Sequence, residues 1–150
     1  MPYSIQLHTS LNKIAVQHKE LALKFQEFAR FVKDCTQTPS VANQSITVSL
    51  QHLDKGFFTT SFARRTISFV FTTVLDENES LQGVVTTYDF SEFPEPKQFK
   101  FGEFTFDESG HTNIKIPNED SQINIANDFG TLHIVLYYIR ESLKKLNQHT

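Results

Sequence analysis

The sequence predicts an α+β fold: a curved antiparallel β-sheet of five or six strands in a meander, flanked by long N-terminal and C-terminal α-helices packed together on one face. Three observations predict it. A heptad-spaced apolar stripe lies near the N-terminus, a second lies near the C-terminus, and a Phe-rich stretch between them alternates with a period of two. At 150 residues and 39% apolar content the chain suits a single domain over 1–150 with its own core.

The first stripe runs Leu11, Ile14, His18, Leu21, Phe25, Phe28, Val32, a 3-4 spacing that keeps these side chains on one helical seam. Ala15, Ala22 and Ala29 follow its edge at intervals of seven residues, so another element can approach the backbone closely there. That element is the protein's own sheet or second helix, or a helix of another chain. Thr9 or Ser10 is the expected N-cap, and Thr36 to Pro39 the expected stop.

After the helix, Ile46, Val48 and Leu50 alternate with Thr47, Ser49 and Gln51 in the manner of a half-buried strand. Asp54-Lys55-Gly56 marks a turn, and a run holding Phe58 and Phe62 reaches Arg64. Ile67, Phe69 and Phe71 then alternate with Thr66, Ser68, Val70 and Thr72. Asp76 to Ser80 marks another turn, followed by a strand over 81–90, so consecutive hairpins are the economical topology.

Residues 97–107 break the alternation. Phe99 and Phe101 share one parity and Phe104 and Phe106 the other, so a bulge or bend is expected at Gly102-Glu103 to keep all four rings on the core side. Glu108 to Gly110 turns into a segment 112–116, and Ile123 with Ile125 is a candidate last short strand.

The second stripe is Phe129, Leu132, Leu136, Ile139, Leu143 and Leu146. Its middle, Leu132 to Ile139, is apolar nearly all round, which requires cover on more than one side. The run is shorter than the roughly 20 residues a bilayer demands, so the cover is protein and no membrane association is expected. Asn127 or Asp128 suits the cap, and Lys144 and Lys145 suit the far end of the dipole.

Several chemistries lack their residues. The five glycines never lie close enough together to form a phosphate-binding loop or a nucleophile elbow. With one cysteine, Cys35, there is no internal disulfide and no CxxC zinc site, and the six histidines show no HxxxH spacing; no metal and no cofactor is expected. Ser109-Gly110-His111 offers a serine and a histidine in a turn without a placed acid. Arg64-Arg65, read as neighbours on a strand, would point to opposite faces and form no clamp. Nucleic-acid binding is not expected, because the pI is near 6.0 and no dense basic stripe exists.

The net charge of −3 is unevenly placed. From Asp76 to Asp120 eleven acidic residues face three lysines, a balance of −8 that leaves +5 elsewhere. The acids gather at turns, either solvating loop tips or forming an acidic edge that docks a basic partner. The N-terminus shows no secretory or lipidation signal, which suggests a cytoplasmic protein.

These readings favour a non-enzymatic protein-interaction module of chaperone-like, inhibitor or immunity type, with a protein partner that includes a second copy of itself as a homodimer. The candidate partner or ligand surface is Thr47, Ser49, Thr66, Ser68 and Thr72 on the uncharged sheet face, with His133, Leu136 and Tyr137 on the C-terminal helix. The alternative is a binder of an apolar small molecule. Fifteen phenylalanines without a tryptophan make a dry core, able to line a cavity beneath the C-terminal helix. A long C-terminal helix held by a curved meander resembles the helix-grip architecture of ligand-cavity proteins, from which the long first helix departs.

Overall fold

The computed structural model describes residues 5–37, 45–91, 94–115, 123–125 and 128–144. Pro39, Asp120, Asn127, Lys145 and Leu146, named above, lie outside them, as does the last residue of the segment 112–116. Helix α1 (Ile5–Thr36) leads into strands β1 (Thr47–Ser49), β2 (Phe57–Phe62), β3 (Arg65–Leu75), β4 (Leu81–Ser91) and β5 (Lys97–Phe106), and helix α2 (Asp128–Lys144) follows. The strands form one open antiparallel meander in the order β1-β2-β3-β4-β5, so the α+β prediction holds with five strands.

The alternation sorts the sheet into two faces. Ile67, Phe69 and Phe71 of β3 share the inner face with Phe58 of β2, Val85 of β4 and Phe104 of β5. Both helices cover that face. Phe28 of α1 meets Phe58, Phe69 and Phe104 edge-on at ring distances of 5.5, 6.3 and 6.2 Å, and Tyr138 of α2 meets Phe69 at 6.0 Å. Phe58 and Phe69 stack at 4.9 Å, and Phe25 stacks on Phe71 at 5.3 Å. The phenylalanines thus pack on one another in the offset and edge-on arrangements their quadrupoles favour.

α1 begins earlier than expected, so Thr9 and Ser10 sit within the helix and do not cap it. Its end is as expected, with the Thr36 hydroxyl donating to the Lys33 carbonyl at 2.8 Å. Only its second half is core: Leu21, Phe25, Phe28, Ala29 and Val32 are buried, whereas Leu11 and His18 are exposed and Ile14 is half-buried. Length explains this. Thirty-two helical residues span about 48 Å, while an eleven-residue strand spans about 36 Å, so the helix outruns the sheet.

The bulge exists but falls at Phe101, one residue before Gly102. Thr87 pairs with Gly102 and Tyr88 with Lys100, leaving Phe101 as the extra residue. Phe99, Phe104 and Phe106 stay on the inner face, opposite Asp89, Val85 and Gly83, and Phe101 packs edge-on against Tyr138 at 5.7 Å. Gly102 is needed for close approach: a Cβ there would come within 2.7 Å of the Tyr138 ring. The Thr87 hydroxyl donates to the Gly102 carbonyl at 2.9 Å.

Two further expectations change. Arg64 is not on a strand; Ala63 and Arg64, with φ of 52° and 67°, form the two-residue turn between β2 and β3. Segments 111–112 and 123–125 make isolated bridges (Phe106 with Thr112, His111 with Asn124), not strands. They nevertheless deliver Ile123 and Ile125 to the core.

Candidate functional site

The outer face is read from the strand register. Ser61, Thr66, Phe90 and Gln98 form one row across β2 to β5; Thr59, Ser68, Tyr88 and Lys100 form the next; Phe57, Val70, Thr86 and Glu103 the third. β1 adds Thr47 and Ser49 opposite Ser61 and Thr59. A hydroxyl pair, Ser61 with Thr66 at 3.3 Å, ties β2 to β3. The charges in these rows are Lys100 and Glu103, and they pair with each other at 3.1 Å near the β5 edge. Desolvating the rest of the face therefore strips no ion of its water.

Of the predicted face residues, Thr47, Ser49 and Thr72 are exposed and Thr66 is half-buried. Ser68 is buried, flanked in register by Thr59 and Tyr88, and offers little to a partner. Half-buried Phe57, Tyr88 and Phe90 share the face and were missed, although their parity with Thr59, Thr86 and Gln82 could have revealed them.

The helix group lies elsewhere. His133 is exposed, and Leu136 and Tyr137 are half-buried on α2, which packs on the inner face, so the structure does not join them to the threonine rows. Tyr137 instead lines a cleft of about 390 Å³ with Tyr138 and Glu141 of α2, Glu103 of β5, and Asn113 and Lys115. Burial, then the neighbouring Tyr137 and the Glu103 carboxylate, push the Tyr138 hydroxyl above its usual range. It stays protonated at neutral pH. The Glu103 and Glu141 carboxylates each meet a lysine, Lys100 and Lys144, at 3.1 Å. Among the described residues no histidine, serine or cysteine lines this cleft, and its tyrosine hydroxyls and rings can donate a hydrogen bond to a ligand or stack on it.

The acids are partly committed to the fold. Asp76 accepts from the backbone N–H groups of Asn78 and Ser80, and Asp107 from those of Ser109 and His111. Asp107 is the acid that the Ser109–His111 turn lacked, yet its Oδ2 lies 3.6 Å from the exposed His111 ring, and its role there is to shape the turn. Asp89 is buried on the inner face and meets Arg65 at 3.2 Å, so the acidic edge is narrower than the sequence suggests.

Among the described residues no group of three or more His, Cys, Asp or Glu could hold a metal ion, and no helix is long and apolar enough to cross a membrane. No family model matches the chain, and neither a curated protein nor a solved structure is significantly similar to it.

Proposed function

We propose that this chain is a non-enzymatic protein-interaction module of chaperone-like, inhibitor or immunity type, acting as a homodimer and docking a protein partner on the outer face of its sheet. One observation carries the reading: both helices cover the inner face, and the outer face is a broad surface of threonine, serine and half-buried aromatic residues whose charges, Lys100 and Glu103, pair with each other at the β5 edge. The five strands are about 4.8 Å apart with residues spaced at about 3.3 Å, and together they present on the order of 650 Å² in projection. Side-chain relief brings this near the ~800 Å² per partner of a standard interface. The packed rings between sheet and helices favour this reading over an apolar ligand cavity in the same place.

Native mass spectrometry of the protein purified gently from its own cells tests it. A retained protein mass, lost in a Ser49→Lys/Thr72→Lys variant that keeps its melting temperature, is the expected result. A chain carrying a discrete small-molecule mass, unaffected by those substitutions, would overturn the reading in favour of a ligand binder.

A further inference from the structure

The cleft between α2 and the β5 bulge holds hydrogen-bond donors that the fold leaves unspent. Phe101, the extra residue of the bulge, and Tyr137 both stand edge-on to the Tyr138 ring, at 5.7 and 5.3 Å. The three rings help to wall a space of about 390 Å³, within the roughly 300–1,000 Å³ of small-molecule sites.

The acceptors around this space are committed. The Glu103 carboxylate meets Lys100 and the Glu141 carboxylate meets Lys144, each at 3.1 Å, so each acid has its charge offset by a neighbouring lysine. The Asn113 side-chain oxygen accepts from the Thr105 N–H at 2.8 Å, and the Gly102 carbonyl from the Thr87 hydroxyl at 2.9 Å.

The donors are not. Tyr138 is 5% exposed, yet its hydroxyl makes no hydrogen bond among the described residues. Burial, then Tyr137 and Glu103, keep that hydroxyl protonated, so it remains a donor at neutral pH. The bond from Thr105 fixes the Asn113 amide with its NH2 end unspent, and the Lys115 ammonium has no acidic partner among the described residues. A buried hydroxyl without a partner weakens the fold, and an incoming acceptor removes that cost.

We propose that this cleft binds a small aromatic carboxylate, its ring packed against Phe101 and Tyr137 and its carboxylate accepting from the Tyr138 hydroxyl and the Lys115 ammonium. Hydrogen-bond role and charge sign select the class. A cationic ligand would need free acceptors and would face Lys115, whereas a purely apolar one would leave the Tyr138 hydroxyl and the Asn113 amide unpaired. A planar ring finds both stacking and edge-on partners in the three aromatic side chains. A ligand of about nine heavy atoms is expected to bind with a Kd of about 0.1–1 mM and to leave during purification. The cleft lies on the helix side of the sheet, away from the threonine rows, so this inference and the sheet-face reading fail separately.

The test is an amide-shift NMR titration with benzoate, benzamide and benzylamine, which share one ring and differ in charge. Benzoate is expected to bind, benzamide to bind about 10-fold more weakly and benzylamine not to bind. The benzoate shifts are expected at Phe101, Gly102 and residues 113–115. Lys115→Ala and Tyr138→Phe should each weaken benzoate about 10-fold. The first changes an exposed side chain and the second keeps the buried ring, so near-UV circular dichroism should show both folded. No benzoate shifts at about 10 mM, benzylamine binding tighter than benzoate, or benzoate binding that neither substitution weakens would each overturn the proposal.

Discussion

Gly83 sits on β4 directly opposite Phe106 of β5, and the aromatic ring lies over the place where a side chain would be. A Cβ at Gly83 would run into the Cζ and Cε1 atoms of that ring and stand 2.8 Å from Cε2, against the roughly 3.5–4.0 Å of an ordinary carbon contact. The ring is fully buried and meets Phe71 at 6.0 Å, so it has no free direction in which to move. Overpacking of this kind costs about 1–3 kcal/mol, and the backbone entropy gained by replacing glycine with alanine offsets about 0.4–1 kcal/mol. Gly83→Ala is therefore expected to lose about 1 kcal/mol, or about 2–4 °C in melting temperature for a chain of this size. Phe106→Leu vacates the contested space. In that background Gly83→Ala should become neutral or slightly stabilising, a coupling of about 1 kcal/mol in a urea-denaturation double-mutant cycle. A Gly83→Ala protein that is more stable than wild type, or additivity in the cycle, would refute the packing of Phe106 over Gly83.

The turn between β2 and β3 places Ala63 and Arg64 at positive φ, so Ala63→Asn with Arg64→Gly should raise stability by about 1–2 kcal/mol; an unchanged melting temperature would count against a strained turn. The Thr60 hydroxyl is buried without a hydrogen-bond partner, and Thr60→Val is expected to stabilise by about 1 kcal/mol, whereas a loss in urea denaturation would mean that the hydroxyl is satisfied. Tyr138 has a folded-state pKa above the value near 10 of an unfolded tyrosine, so its contribution is complete below that pH and declines as pH rises beyond it. Relative to Tyr138→Phe, the wild type should lose up to about 1.4 kcal/mol per pH unit above pH ~10, and parallel stability profiles would sink this account. Leu136 is half-buried and packs against the core, so Leu136→Glu should cost about 1–3 kcal/mol and leave a folded chain, as near-UV circular dichroism would show.

Much of the plan was legible because it depends on period alone. The alternation of Ile67, Phe69 and Phe71 placed three apolar side chains on one face, and the parity break between Phe101 and Phe104 required a bulge. The turn at Ala63-Arg64 was not legible, since neither residue has the glycine or asparagine chemistry that announces positive φ. The buried pair Arg65 and Asp89 was equally hidden: its members stand 24 residues apart, and only the pairing of β3 with β4 brings them within 3.2 Å. Of the candidate surface, Thr47, Ser49 and Thr72 are exposed, while Ser68 is buried by the neighbouring strands, which its own spacing could not show.

The sequence by itself determined the order of elements, the two apolar helices, the faces of the strands and the absence of the common catalytic signatures. These follow from local spacing, which dictates where each side chain points along its own element. Only the tertiary structure decided which stretch of the α1 seam is covered, where the bulge falls, and that the threonine rows and the α2 residues look out from opposite sides. Those outcomes turn on the length of one element against another: a helix of 32 residues is laid on strands of at most 11, and Leu7 and Leu11 near its start stay exposed while Leu21 and Phe25 are buried.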